Sequence, residues 1–311
     1  MTLAISRYAW LSILAAAITI VLKFGAYLVT GSVGLLSDAL ESLVNLAGAG
    51  MTLAMLTIAG RPADKEHAYG HAKAEYFSSG FEGGLILLAA ASIIVAAVPR
   101  LLNPQPLEQT GIGLAIAIAA SIVNLGIAQI LRHAGKRHNS IALEADSQHL
   151  MTDVWTSVGV VIGVAATTLT GWHWLDPAVA ILVAANIVWT AIQILRRTTQ
   201  GLMDIALPAQ DQDKLREIFQ SYEAQGLQFH ALRSRQAGAQ AFVDVHMLTP
   251  GEWTVGRAHE VAEQLEAEVS RVLPNTMLLT HLEPVGEAIS YAHPGVELLE
   301  PADALTSHHE G

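Results

Sequence analysis

The stretch Glu144-Ala-Asp-Ser-Gln-His149-Leu-Met-Thr-Asp153 sets an imidazole and a carboxylate four residues apart at the head of a long apolar run. On an α-helix, positions i and i+4 lie ~40° apart around the axis, so His149 and Asp153 point the same way and can grip one cation. An earlier apolar segment repeats that spacing with Glu41 and Asn45. Ionisable side chains deep in a bilayer are costly and mark function. Four potential ligands on two hydrophobic helices therefore point to a metal site inside a membrane.

The composition agrees with that reading. Of 311 residues, 52% are hydrophobic and only 14% charged, and the mean hydropathy is +0.40, outside the range of an ordinary soluble domain. Charge is scarce in the apolar segments before about residue 200 and dense after it. The expected division is a six-helix transmembrane domain over 1–200, a cytoplasmic domain over 201–286 and a disordered tail over 287–311. A net charge of −11 argues against a nucleic-acid partner. The absence of cysteine leaves nitrogen and oxygen as the only metal donors and leaves the redox compartment open.

Six apolar runs are long enough to cross a hydrocarbon layer that needs ~20 helical residues. They span Tyr8 to Thr30, Val33 to Ala59, Tyr76 to Leu101, Ile112 to Leu131, His149 to Leu169 and Pro177 to Leu195. Ala15-Ala16-Ala17 could imitate a signal-peptide cleavage site, but the length of the first run, its Lys23 and the second run close behind favour an uncleaved helix. Cations gather before the first run and after the second, fourth and sixth, among them Arg7, Arg61, Lys65, Lys73, Arg132, Lys136, Arg137, Arg196 and Arg197. The positive-inside rule then places both termini in the cytoplasm. Asp176-Pro177 reads as a cap residue with proline at the first helical position, a structural role rather than ligation.

Beyond Arg197 the periodicity changes. Ala209 to Tyr222 reads as an amphipathic helix, and Gly226 to Arg235 and Gln240 to Leu248 as strands around a turn at Ala237-Gly238. Thr254 to Leu273 is a second helix and Thr276 to Glu283 a third strand. The order αββαβ describes a small α+β domain of ferredoxin-like or metallochaperone-like type, of ~80 residues, which dimerisation would stabilise. The tail from Gly286 lacks periodicity, and its His293, His308 and His309 read as solvated.

Three motifs in this order resemble the cation diffusion facilitators. They are Gly31-Ser-Val-Gly-Leu-Leu-Ser-Asp-Ala-Leu-Glu-Ser, the loop Arg61-Pro-Ala-Asp-Lys-Glu-His-Ala-Tyr-Gly-His-Ala-Lys-Ala-Glu75, and His149-Leu-Met-Thr-Asp153. The resemblance runs from the first span through the third strand and leans towards bacterial zinc and iron exporters. It implies a homodimeric divalent-cation/proton antiporter of the bacterial inner membrane rather than an enzyme. Each protomer would hold its own transport site and meet lipid, metal ions and protons. The resemblance further implies a loop metal site at Asp64, His67 and His71. A cytoplasmic binuclear site at the dimer interface would use His230, His246, His259, His281 and Glu283, and a charge pair, Lys73 with Asp204, would lie near the dimer junction.

The chemistry of the membrane site can be argued without the name. Glu41, Asn45, His149 and Asp153 offer three oxygens and one nitrogen, a shell that suits a small dication. Two carboxylates neutralise its charge, and a neutral loaded site is cheaper in a low dielectric than a bare ion. When the ion leaves, protons relieve the unpaired carboxylates or His149. Metal and proton then compete for the same atoms, and an inward proton gradient drives the cation out.

The chain departs from the family pattern in the second span, where Asp or His followed four residues on by Asp is usual. An amide oxygen is a poor zinc ligand, so Fe²⁺, Mn²⁺ and Co²⁺ stand beside Zn²⁺, which stays first on resemblance. Asn45 could instead orient Glu41 while water completes the sphere. The plain alternative for Glu41, His149 and Asp153 is a buried interhelical hydrogen-bond network. Asp38 is offset from Glu41 and suits helix packing or ion entry. The loop group could equally be solvated polar residues; the strand group favours ligation over half-exposed surface histidines, because the set matches the family as a group and His246 faces away from Val243, Val245 and Met247, as a ligand should. Metal in the cytoplasmic domain would cement or sense, whereas an exposed Lys73–Asp204 pair contributes little. A metallohydrolase is disfavoured because Leu150 stands where a His-Glu-x-x-His helix needs its carboxylate. A transport-impaired sensor or assembly partner of the same fold is the alternative that Asn45 leaves open.

Overall fold

The computed structural model describes residues 2–30, 33–103, 111–287 and 290; the side chains of residues 33–41, Asp38 and Glu41 included, lie outside the described residues. The chain divides into two compact units, Met1–Leu202 and Met203–Gly311.

Among the described residues, the first unit contains six helices: α1 (Thr2–Thr30), α2 (Val33–Ala59), α3 (Ala74–Leu102), α4 (Gly111–His138), α5 (Ile141–Thr170) and α6 (Leu175–Leu202). At 1.5 Å per residue each is ~40–45 Å long, more than a hydrocarbon core of ~30 Å requires. Within the described residues, Arg7–Gly25, Ala74–Leu102 and Leu175–Leu202 are both long and apolar enough to cross a membrane, and Asn45–Ala59 is apolar but shorter.

Helices α4 and α5 outrun the apolar segments that announced them. Asn139 takes a left-handed conformation (φ 52°), and Ser140 caps α5 by accepting from the Leu143 backbone N–H. The two helices are therefore joined by two residues, and His149 lies two turns inside α5. Burial of the polar lead-in is helped by partners that several of its groups find. Ser147 donates to the Ala128 carbonyl (2.8 Å), Ser12 to Asp146 (3.0 Å) and Ser140 to Glu75 (2.5 Å), while Glu144 pairs with Arg197. Helix α6 likewise begins one residue before Asp176. That carboxylate thus sits within the first turn, against Gly163 of α5, and the capping carbonyl belongs to Trp174.

The packing of this unit is inverted relative to a soluble bundle. Small residues such as Ala9, Ala16, Ala90, Ala128, Ala142 and Ala191 are buried, whereas Trp10, Val21, Leu88, Val95, Leu182 and Trp189 face outward. Helices whose surroundings are as apolar as their own side chains gain by close backbone approach, which small residues allow. On α3 and α6 the approach is tightest at Gly201, where an added Cβ would lie 2.2 Å from the Tyr76 ring.

The second unit follows the order α7 (Ala209–Glu223), β1 (Gln228–Ala237), β2 (Gln240–Thr249), α8 (Val255–Val272) and β3 (Thr276–Pro284). The sheet order is β1-β2-β3, with β1 antiparallel and β3 parallel to β2, so α8 is the crossover. Val243, Val245 and Met247 bury one sheet face in a core with Leu215, Phe219, Leu265 and Val269. The opposite face carries Asp244 and His246, as the alternation requires. Thr254 caps α8 through the Arg257 N–H (3.3 Å). Most of the tail, including His293, His308 and His309, lies outside the described residues.

Candidate metal centres

Asn45 on α2 meets His149 and Asp153 on α5 inside the first unit. Asn45 Nδ2 donates to Asp153 Oδ2 (2.5 Å), and Asn45 Oδ1 lies 2.8 Å from His149 Nε2. Asn45 and His149 are 6% and 5% exposed, so water cannot freely satisfy them. Three of the four residues expected in the membrane site are thus within hydrogen-bond distance in one chain of contacts. The fourth, Glu41, starts one turn earlier on the same helix, but its side chain lies outside the described residues.

Three further polar groups, not singled out from the sequence, complete the surroundings. Asn124 of α4 donates to the same Asp153 oxygen (3.0 Å). Glu82 of α3 is fully buried, with Oε2 3.2 Å from His149 Nδ1 and Oε1 accepting from Thr52 (3.4 Å). Asp146, one turn before His149, is buried and held by Ser12. A signal for Glu82 existed: it is a lone carboxylate inside an apolar run. Asn124 had none, since one amide in an apolar helix has no spacing partner. Chemically, imidazole, carboxylate and amide oxygens converging between α2, α4 and α5 suit a dication without any thiolate.

In the loop between α2 and α3, Asp64 Oδ1 and Oδ2 lie 3.4 Å from His67 Nδ1 and 3.3 Å from His71 Nε2. The donor atoms lie within 4.8 Å of one another, close enough to share one ion. Asp64 Oδ1 also accepts from the backbone N–H groups of His67 (2.7 Å) and Glu66 (2.9 Å). The His67 hydrogen bond first, then that of Glu66, holds the Asp64 carboxyl below its ordinary value, so it stays an anion to lower pH.

Strand register builds the third cluster. His230, His246 and His281 are directly paired neighbours on β1, β2 and β3, a row of imidazoles across the sheet. Glu283 lies beside them, 2.8 Å from His230, 3.1 Å from His246 and 3.6 Å from His281. The donor atoms of His230, His246 and Glu283 lie within 4.8 Å of one another, and this two-nitrogen, one-oxygen set fits a metal ion. His259 stands apart on α8, 66% exposed and 3.8 Å from Glu263. Asp204, left-handed at φ 58°, lies 3.5 Å from Arg235. Lys73 precedes α3 in the other unit.

Comparison with known proteins agrees with both units. A family profile described as the cation efflux transmembrane domain matches residues 9–203, and one described as the cation efflux protein cytoplasmic domain matches residues 207–285. The uncharacterized transporter sll1263 of Synechocystis sp. is 53% identical over 295 residues, covering 94% of this chain and 95% of the relative. The cation-efflux pump FieF of Citrobacter koseri is 28% identical over 280 residues, covering 90% and 93%. The FieF of Klebsiella pneumoniae is 27% identical over 281 residues, with the same coverage. A solved CzrB chain is 28% identical over 26% of this chain and 99% of its own length, but its TM-score of 0.25 is too low to bear on the fold.

Proposed function

This chain belongs to the cation diffusion facilitator family of cation efflux proteins, and from that premise we propose that it exports a divalent metal ion in exchange for protons. The observation that carries the proposal is the buried meeting of Asn45, His149 and Asp153 between two helices of the transmembrane domain. Glu41 completes the set from the turn before Asn45. Zinc is the first candidate substrate, with Fe²⁺, Mn²⁺ and Co²⁺ favoured by the harder donors.

In this reading all six helices cross the bacterial inner membrane, with both termini in the cytoplasm. The cation enters a site whose ligands are otherwise tied to one another, as Asp153 is to two amides. It replaces those hydrogen bonds, and protons restore neutrality after it leaves. Two copies form the working unit, each with its own site. The histidine row with Glu283 holds metal near the dimer interface, where His259 would contribute from its own helix. The loop cluster serves metal binding.

Reconstitution into lipid vesicles tests the exchange. An imposed pH gradient should drive Zn²⁺ movement, and collapsing the gradient should stop it. Flux indifferent to the gradient would indicate a channel, and no flux with intact metal binding would favour a sensor.

A further inference from the structure

We propose that Glu82 on α3 is the positioning residue that fixes His149 for cation binding, by holding the hydrogen on Nδ1 so that Nε2 is offered to the ion. The inference deepens the transport-site reading and rests on it.

His149 is approached from two sides. Asn45 Oδ1 can only accept, so Nε2 donates its hydrogen there (2.8 Å), while Nδ1 faces Glu82 Oε2 at 3.2 Å. Nδ1 and Glu82 Oε2 are close but not aligned as a hydrogen bond, and neither has another partner among the described residues. Only a nitrogen lone pair can ligate a metal, and a neutral imidazole carries a single hydrogen. A cation taken at Nε2 in place of Asn45 therefore requires that hydrogen to move to Nδ1. There the group within reach is the Glu82 carboxylate. A carboxylate behind a ligating histidine sets both the tautomer and the ring orientation and makes the other nitrogen a better donor.

The surroundings are arranged to keep Glu82 in place. It is fully buried, and Thr52 of α2 donates to its other oxygen at 3.4 Å. Gly48, also on α2, leaves the space the carboxylate fills, since a Cβ there would lie 2.7 Å from Oε1 and 3.1 Å from Oε2. Asp146, another buried carboxylate nearby, accepts from Ser12 through Oδ1 alone.

Zn²⁺ uptake into vesicles, followed against Zn²⁺ concentration for the full chain, tests the assignment. Glu82→Leu, which removes the acceptor, should raise KM ~10–100-fold while Vmax stays within about threefold of wild type. Glu82→Gln, which keeps an oxygen able to accept from Nδ1, should recover part of that loss. Gly48→Ala keeps the carboxylate but displaces it, so it should raise KM as well and serves if the Leu variant does not fold. An unchanged KM in Glu82→Leu, or a fall in Vmax alone, would overturn the role. Asp153→Ala measured beside them separates the two readings. If Asp153→Ala transports like wild type, the site itself is wrong; if only the Glu82 variants behave normally, the positioning claim alone falls.

Discussion

Among single residues, Asp153 and Asn45 have few oxygens to spare for an ion. Asp153 Oδ2 takes hydrogen bonds from both Asn45 and Asn124, so a cation at this carboxylate displaces two amide donors. Asn45→Asp would exchange one donor for a second anion on α2. It should tighten zinc binding about tenfold, equivalent to ~1.4 kcal/mol, as measured by titration of the purified protein. A weaker or unchanged affinity would mean that Asn45 does not touch the ion. Asp64 makes a separate prediction. Its folded pKa is depressed from 3.8, so its contribution to the loop is present above that value and fades as pH falls through the lower folded value. The Asp64 side-chain carboxyl carbon resonance, followed against pH, should have its midpoint below the ordinary carboxylate range, and a midpoint at or above that range would contradict this.

At the scale of elements, close helix approach and strand register do the positioning. Gly201→Ala would drive a methyl group into the Tyr76 ring and should destabilise the α3–α6 contact by about 1–3 kcal/mol, read as a lowered melting temperature. What was legible in the sequence follows from local rules. The strands and helices of the second unit lie within two residues of their expected bounds, because Thr254, Gly238 and the Val243-Val245-Met247 alternation are local signals. The His149–Asp153 spacing was legible for the same reason. The extension of α5 back to Ile141 was not, because Glu144 and Asp146 look like loop residues until Arg197 and Ser12, distant in sequence, are brought beside them. Asn124 was missed on the same ground, since its partner lies on another helix, whereas Glu82 stood out as a lone carboxylate in an apolar run and only its partner was hidden.

Across the whole molecule, the buried cluster of the first unit and the histidine row of the second can be tested separately. Replacing His246 or His281 by Ala should weaken metal binding to the histidine row and lower the transport rate without abolishing flux. An unchanged binding isotherm would dismiss that cluster. Metal held there at 100 times its dissociation constant would add ~2.7 kcal/mol to stability, so a chelator should lower the melting temperature of the wild type more than that of either variant. One dication and the protons that replace it are proposed to share the side chains between α2 and α5. This is tested by Zn²⁺ flux under a pH gradient in vesicles containing the Asp153→Ala protein. Flux should fall at least ~100-fold while the dimer persists, as expected for loss of an essential ligand; flux at the wild-type rate would refute the shared site.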